Sequence, residues 1–340
     1  MRSNVLVTGA SGFIGQHVVR RLLARGCIVH GVSRFPMNRD AGGVRWWNAN
    51  VGDTDRVAEI VSAIRPEIVI HLAGYVSGDR SIDRVLPILR DSLVSTVGLL
   101  VSASQVGCQR LVLAGSLEEP DGTQSHQIPV SPYAAAKWAA MSYGRMFHAL
   151  YAVPTVMARI AMVYGPGQVD ERKLVPHVIR SLLRGKSPAV GSGRRALDWV
   201  YVDDVADGLV RACFAEQIEG RTIDLGSGQR VTIRDVVNRL VAFSGPSVVP
   251  RFGAVPDRPM EQEWSADVDA ARALLGWRAV TPLDVGLKRT VDWHKSESAE
   301  WSARPMPSRA STRGGLTHRT PDTALTSSIR APSLGNLPRS

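Results

Sequence analysis

Cysteine is scarce in this chain of 340 residues, and its three copies, Cys27, Cys108 and Cys213, lack the paired spacing of a disulfide framework or a metal site. A reducing, cytoplasmic location and no bound metal are therefore expected. The sequence also lacks a cleavable signal and any unbroken apolar run of about 18 residues, so no membrane partner is expected. With 44% hydrophobic and 21% charged residues, it can form one large or two smaller cores.

Lysine-rich blocks are missing, although the net charge is +10. The segment 296–340 holds six arginines against three acids, and the rest of the chain keeps a positive excess. Aromatic residues do not alternate with the arginines as a platform for stacked bases requires. Nucleic-acid binding is thus the weaker explanation of the charge, whereas an enzyme with a phosphate-bearing substrate also suits it.

The segment 296–340 is also rich in Ser, Thr and Pro and has no apolar periodicity. Such a composition buries too little surface to offset the entropy of ordering. It predicts a disordered tail.

Short apolar strands alternate with amphipathic helices before this tail. Strands are predicted at "NVLVT", "IVHGV", "VRWWN", "EIVIHLAG" and "RLVLAG". One helix is predicted to end at Gly26, a second to run from Asp53 or Thr54 to Ile64, and a third to lie within 84–106. This order indicates an α/β fold with a doubly wound parallel sheet (Rossmann).

After residue 165 the alternation becomes irregular, which predicts a smaller second lobe. We expect a dinucleotide-binding domain that consists of residues 1–165 together with about 199–225. A substrate-binding lobe is then expected over 166–198 and 226–295.

The first strand is followed by "VTGASGFIG", which sets Gly9, Gly12 and Gly15 three residues apart at the start of a helix. In that position glycines permit a tight turn, close approach to a pyrophosphate and close packing of helix on strand. A tight turn without a ligand would use the same residues, but the strand–turn–helix context favours a dinucleotide site.

Tyr133 and Lys137 in "SPYAAAKW" are four residues apart, hence on one helical face. A neighbouring ammonium favours the phenolate, so the pair could act as a general acid or base near neutral pH. A solvated helix face has the same spacing.

The stretch "VLAGSLEEPDG" brings Ser116 next to Glu118 and Glu119 at a strand end. By itself it is either a polar surface turn or a set of catalytic groups.

The motifs "TGASGFIG", "HLAG", Ser116, "YAAAK", "VYGPGQ" and "DWVYVDDVADG" together resemble the extended short-chain dehydrogenase/reductase family, in its nucleotide-sugar epimerase/dehydratase branch. The resemblance extends over about residues 3–294. It implies an NAD(P) cofactor, a nucleotide-diphosphate sugar as substrate, hydride transfer at sugar C4 and a homodimer.

The resemblance also implies a set of cofactor-binding residues. They are Gly9, Ser11, Gly12, Phe13, Ile14, Gly15, Ser33, Arg34, Asn50, Val51, Leu72, Ala73, Gly74, Ser92, Tyr133 and Lys137. NAD enzymes usually have an acid at the end of the second strand, whereas here Ser33 and Arg34 stand there. An arginine pairs well with a 2′-phosphate, so NADP is favoured over NAD, with a solvated loop arginine as the alternative.

Ser116, Tyr133 and Lys137 match the family's catalytic positions, and Glu118 matches the dehydratases' base. Leu117 stands where deoxythymidine-linked dehydratases have an aspartate. The basic residues expected near substrate phosphates are Lys173, Arg194 or Arg195, and Arg258, unless they are merely solvated.

The expected reaction is 4-epimerisation or reduction of a 4-keto sugar. A 4,6-dehydratase is the alternative, and a non-catalytic NADP-binding regulatory protein is a rival of a different class. A complete Ser, Tyr and Lys set argues against the regulatory protein, which has no need of it.

Overall fold

The structure is a computed structural model that describes residues 2–120, 128–245 and 248–303. In this part of the chain there are twelve strands. They are β1 (Asn4–Thr8), β2 (Ile28–Ser33), β3 (Val44–Asn48), β4 (Ile68–His71), β5 (Arg110–Ser116), β6 (Thr155–Ile160), β7 (Met162–Tyr164), β8 (Ala189–Val190), β9 (Ala196–Tyr201), β10 (Thr222–Leu225), β11 (Arg230–Thr232) and β12 (Arg251–Phe252).

Ten α-helical segments lie in the same ranges. They are α1 (Phe13–Ala24), α2 (Thr54–Ile64), α3 (Val85–Ile88), α4 (Ser95–Val106), α5 (Pro132–Tyr151), α6 (Leu174–Leu183), α7 (Val202–Phe214), α8 (Ile233–Ser244), α9 (Val268–Leu275) and α10 (Leu283–Ala303). A π-helical turn at Leu89–Val94 joins α3 to α4, so the helix predicted within 84–106 is a segmented stretch that already begins at Ile82.

Seven parallel strands form the central sheet in the order β10-β6-β5-β4-β1-β2-β3, which confirms the predicted doubly wound fold. The chain winds outward from β1 in both directions. The strand order therefore reverses between β1 and β4, and a ligand crevice is expected there at the carboxyl ends of the strands. Thr8, Ser33, His71 and Ser116 all end strands at this edge.

Each face of the sheet has its own apolar core. One core includes Val18 of α1 and Leu209 of α7, and the other includes Ile60 of α2 and Met141 of α5. A third core joins α6, α8 and α10 to the small sheet β11-β9-β7. The chain up to Trp301 forms one compact unit, and its division at residues 165–166 stays a prediction.

The predicted start of the tail at residue 296 is wrong for its first eight residues, because α10 continues to Ala303. Glu and Ala, which favour helices, recur in "SESAE" and prolong the helix without apolar periodicity. The remaining tail, 304–340, lies outside the described residues.

One helical stretch, Ile82–Val106, is long and apolar enough by length and composition to cross a membrane. Core helices of soluble proteins meet the same criterion. Here the stretch packs against α2 and α5 and buries Ile88, Leu99 and Leu100. We therefore interpret it as a helix that covers the sheet.

Candidate active site

The turn between β1 and α1 forms a narrow backbone cradle. The N–H of Gly12 donates to the carbonyl of Gly9 at 2.9 Å, and Gly9 has φ = 71°, where a side chain would be strained. A Cβ on Gly9 would lie 2.8 Å from the amide nitrogen of Ala73, and one on Gly15 would overlap the carbonyl of Gly9. Glycine is thus required by packing at two of the three positions, and α1 begins with no side-chain cap on its free N–H groups.

The fit to a dinucleotide rests on this cradle and on the absence of a capping side chain. The first turn of α1 offers free N–H groups to an anion, as a pyrophosphate requires. Ser11 is exposed beside it, and Phe13 and Ile14 begin the helix. These residues could hold the pyrophosphate of NAD(P).

A buried hydrogen-bond chain supports the next loop, Leu72–Gly74. The hydroxyl of Thr96 donates to the carbonyl of Ser92 at 2.7 Å, so it must accept from Nε2 of His71 at 3.0 Å. Nδ1 of His71 then accepts from Thr8 at 2.7 Å, and Thr8 Oγ1 accepts from the N–H of Ala73 at 3.3 Å.

Burial, with the nearby Lys137 charge, lowers the pKa of His71 to about 3. His71 is therefore neutral and structural. Ser92 is buried at the same loop: its Oγ accepts from the N–H of Tyr75 at 3.1 Å and would lie 3.3 Å from a Cβ on Gly74.

The end of β2 presents Arg34 to solvent. The buried Ser33 Oγ accepts from the N–H of Phe35 at 3.1 Å and from the hydroxyl of Ser11 at 3.3 Å. Asn48 Nδ2 donates to the carbonyls of Ser33 and Arg34. The backbone that carries Arg34 is therefore held in place while its side chain is exposed.

Asn50 and Val51 follow β3 at the same edge of the sheet. Asn50 is exposed and its Oδ1 accepts from the N–H of Gly52 at 3.0 Å, whereas Val51 is buried. Asn50 thus stabilises its own turn, and its side chain remains exposed to solvent.

Ser116 and Tyr133 meet at the carboxyl end of β5. Helix α5 begins just before Tyr133, where Ser131 caps it by accepting from the N–H of Ala134 at 3.1 Å. The Ser116 side chain lies close enough to the Tyr133 hydroxyl to lower the pKa of Tyr133. Tertiary structure thus joins two groups that sequence spacing could not connect.

Lys137 lies one helical turn further, buried at 4% exposure. Its Nζ donates to the carbonyl of Ala114 at 2.6 Å and would lie 3.8 Å from a Cβ on Gly74. Burial lowers the pKa of Lys137 to about 8, against an opposing effect of Glu119. The ammonium therefore lies between β5 and the loop after β4, where a cofactor would pass.

The expectation that Lys137 favours the Tyr133 phenolate is wrong for the protein chain alone. Burial is the main cause that raises the pKa of Tyr133, and the charges of Glu118 and Glu119 raise it further. The Ser116 side chain opposes these effects without cancelling them. The phenol is thus a proton donor at neutral pH.

The two glutamates after Ser116 have different surroundings. Glu118 is half-buried and lines a cleft with Pro120, Ile128, Val130, Arg195, Gln262 and Trp264. Glu119 turns inward, with 3% exposure, and its Oε1 accepts from the N–H of Ser116 at 2.6 Å. The sequence singled out Glu118 and left the role of Glu119 open.

Three arginines surround Glu261: Arg80 and Arg195 come from distant segments, and Arg258 precedes Glu261 by three residues. Arg195 Nη1 lies 2.8 Å from Glu261 Oε2, and Arg258 Nη1 lies 3.7 Å from Oε1. Arg80 Nη2 lies 4.0 Å from Oε1, while its Nη1 donates to the carbonyl of Pro259 at 2.7 Å. We call these residues the Glu261 cluster. Sequence reasoning missed Arg80, because nothing in "GYVSGDRS" marks it as a binding residue.

The other expected phosphate contacts differ in position. Arg194 is exposed, so of the two alternatives Arg195 is the one turned into the cleft. Lys173 is half-buried just before α6, and burial lowers its pKa, whereas the charge of Glu118 raises it. The charge of Arg258 also acts on Lys173, so both lie near the cleft.

Within the described ranges, no group of three His, Cys, Asp or Glu side chains could hold a metal ion. What these ranges do assemble is a backbone cradle for a dinucleotide, a Ser116–Tyr133 pair near a buried lysine, and an arginine, Arg195, that lines the cleft. Such a site defines a dinucleotide-dependent oxidoreductase.

The comparisons with known proteins name the family. The model of the NAD dependent epimerase/dehydratase family matches residues 5–226, so the chain belongs to that family. The family also confirms the enzyme class that was predicted from the sequence.

Relatives in the family have two kinds of activity. The chain is 31% identical over 313 residues to a UDP-glucose 4-epimerase of Mycolicibacterium smegmatis, which covers 86% of this chain and 99% of that protein. It is 28% identical over 333 residues to a dTDP-glucose 4,6-dehydratase of Neisseria gonorrhoeae, over 86% of this chain and 96% of that protein. The crystal structure of a Thermotoga maritima UDP-glucose 4-epimerase with UDP-glucose matches with a TM-score of 0.79 and 26% identity, over 87% and 99% of the two chains.

Proposed function

We propose that the protein oxidises or reduces C4 of a hexose carried on a nucleoside diphosphate, as an NAD(P)-dependent 4-epimerase or 4-keto reductase. The observation that carries this proposal is the proximity of the Ser116 and Tyr133 side chains to each other and to the buried Lys137 at the carboxyl end of β5. A sugar in the cleft would have its C4 oxygen at Tyr133 and its diphosphate near the arginines.

Each residue of the site has one task in this proposal. Tyr133 donates its phenol proton to the C4 oxygen during reduction, and as the phenolate it accepts the proton of the C4 hydroxyl during oxidation. Ser116 forms a hydrogen bond to the same oxygen and orients it. When bound, the nicotinamide supplies or accepts the hydride at C4. Arg195 and Arg258 hold the diphosphate through charge-assisted hydrogen bonds. The diphosphate replaces Glu261 as the partner of these two arginines.

The experiment is a substrate panel. Purified protein is denatured to identify any released dinucleotide, and fresh protein is then assayed with UDP-, dTDP- and GDP-hexoses and their 4-keto derivatives. Tightly bound NAD with interconversion of C4 epimers indicates an epimerase. An empty site with NAD(P)H-dependent loss of the 4-keto group indicates a reductase. Absence of turnover across the panel at saturating cofactor contradicts the proposal.

A 4,6-dehydratase is the second candidate, because Glu118 lines the cleft beside Arg195. Leu117 offers no acid to protonate the leaving hydroxyl, which makes C4 chemistry alone the better match. Turnover in D₂O separates the two. Deuterium on C5 or C6 with loss of water indicates dehydration, and its absence from carbon confines the reaction to C4.

We further propose NADP rather than NAD as the preferred cofactor. The exposed Arg34 on a fixed backbone supports this, as does the lack of an acid at Ser33. Arg34→Ala is expected to weaken NADPH binding by about 1.5–3 kcal/mol, the contribution of a hydrogen bond to a charged group, and to leave NADH binding nearly unchanged. Calorimetry with both cofactors measures the difference, and equal losses would contradict a 2′-phosphate contact.

A homodimer is proposed from the outer surface of the stretch 82–106 and of α5. Large apolar side chains are exposed on both helices, among them Leu86, Leu89, Val101, Trp138 and Tyr143. Such a surface favours burial against a second copy. Sedimentation velocity is expected to show a dimer that Leu86→Asp dissociates, and a monomeric wild-type protein would refute this.

A further inference from the structure

Glu119 is a buried acid next to Ser116 to which the proposed function assigns no task. Its own N–H donates to the Ser116 carbonyl at 3.2 Å, while its Oε1 accepts from the Ser116 N–H at 2.6 Å. The residue therefore contacts both polar backbone atoms of the serine. The N–H of Glu118 donates to the Ser116 Oγ at 3.1 Å, so the tight turn after β5 holds the serine from two sides.

The packing around Glu119 is adapted to a carboxylate. A Cβ on Gly115 would lie 2.6 Å from Glu119 Oε1, so a glycine at that position makes room for it. The same Cβ would lie 3.1 Å from the Met141 sulfur, which puts α5 on the far side of the group. Helix α5 also carries Tyr133 and Lys137, so this carboxylate lies between the serine and the helix of the other catalytic groups.

The charged groups that face Glu119 are Tyr133, Lys137 and Arg145 of α5, Arg159 of β6 and Glu118 of its own turn. Each of the three cations has other partners: Lys137 donates to Ala114, Arg145 to Ser142, and Arg159 to Asp224. In the part of the chain that the structure describes, no lysine or arginine lies within ion-pair distance of Glu119. Burial therefore dominates and raises the pKa of Glu119 to about 7, although the three cations lower it.

We propose that Glu119 is a positioning residue of the active site, whose carboxylate fixes the peptide of Ser116 and whose charge holds Tyr133 and Lys137 in their protonated forms. This inference rests on the proposed function. The charge of Glu119 raises the pKa of Tyr133 and opposes the lowering of the pKa of Lys137 by burial. Ionised Glu119 thus favours the phenol as a proton donor, the form that reduction of a 4-keto group requires.

Glu119→Gln separates the charge of this side chain from its shape. The amide keeps an oxygen that can accept from the Ser116 N–H, but it carries no charge and does not titrate. Glu59→Gln, at an exposed position on α2, is the matched control. Glu119→Val removes both the acceptor and the charge.

The first readout needs no substrate. In protein labelled with ¹⁵N-serine, the Ser116 amide resonance is assigned from its loss in Ser116→Ala. It is expected to shift with pH, with a midpoint at about pH 7, in the wild type and in Glu59→Gln. In Glu119→Gln that titration disappears. A wild-type resonance that stays constant between about pH 5 and pH 9 overturns the proposal.

The second readout is the pH dependence of kcat/KM. Removal of the negative charge is expected to move the Lys137 inflection from about pH 8 to lower pH by about one unit in Glu119→Gln, with Glu59→Gln unchanged. If Glu119→Gln has the wild-type profile and only Glu119→Val loses activity, Glu119 is merely structural and the proposal is wrong. If no nucleotide sugar is turned over, the proposed function fails, while the amide titration still decides the contact between Glu119 and Ser116.

Discussion

The catalytic corner, formed by Ser116, Glu119, Tyr133 and Lys137, differs from the Glu261 cluster in how it handles charge. In the corner, opposite charges are close but unpaired, and burial moves three pKa values from their ordinary ranges. In the cluster, arginines contact a carboxylate directly; the Arg258 side chain is 54% exposed, whereas those of Arg80 and Arg195 are 26% and 19% exposed. Burial thus sets the pKa values of the proton-transferring groups in the corner, whereas in the cluster the arginines can exchange Glu261 for the anion of a ligand.

The largest expected effect is the loss of the phenol in the corner. Tyr133→Phe is expected to reduce turnover by about two or more orders of magnitude, because the general acid is removed. Folding and cofactor binding should remain, since the ring and Lys137 are kept. Steady-state kinetics with calorimetry of cofactor binding measures both, and near wild-type turnover would show that Tyr133 moves no proton.

A pH dependence of stability should also come from the corner. The folded protein binds the Glu119 proton more tightly than the unfolded chain does, because the pKa rises from 4.5 to about 7. Stabilisation by this proton is present below pH 4.5 and is lost as pH rises to about 7, by roughly 3 kcal/mol in the free energy of unfolding.

Histidines with lowered pKa values, such as His71, contribute the opposite slope, so the measurement is a difference between two proteins. Urea titrations of the wild type and Glu119→Gln over this pH range should diverge, with the wild type losing relative stability as pH rises. Parallel curves would mean that Glu119 is ionised throughout.

The Glu261 cluster should respond in substrate affinity rather than in turnover. Arg195→Ala is expected to weaken binding of the nucleotide sugar by about 1.5–3 kcal/mol, because a charge-assisted hydrogen bond is lost. Arg194→Ala is the matched control, since that side chain points to solvent. Calorimetry of nucleotide-sugar binding distinguishes the two variants. Equal losses of affinity would show that the diphosphate binds elsewhere.

The smallest effect is expected for Glu261→Gln. The variant frees three arginines from a competing charge, so nucleotide-sugar binding should tighten by under about 1 kcal/mol, the size of a partly exposed ion pair. The pH profile of turnover should stay unchanged, unlike that of Glu119→Gln. Weaker binding would indicate that Glu261 orients the arginines instead of competing with the ligand.

Much of the corner and the cradle could be predicted from the sequence. The spacing of Gly9, Gly12 and Gly15 after a strand and the four-residue interval from Tyr133 to Lys137 are local patterns. Because a helix or a strand–helix turn fixes the relative positions of residues at such intervals, the sequence predicted where these glycines and this Tyr–Lys pair lie relative to one another. The alternation of short apolar strands with amphipathic helices along the chain likewise predicted the parallel sheet, since such an order implies βαβ units.

Tertiary structure decided what depends on distant segments and on burial. It selected Arg195 over Arg194 and added Arg80, because residues 80 and 195 meet the segment 258–261 only after the chain folds. It also turned Glu119 inward and raised the pKa of Tyr133, against the expectation drawn from Lys137 alone. Sequence spacing by itself determined which groups share an element, whereas desolvation and long-range charge depend on the whole packed fold.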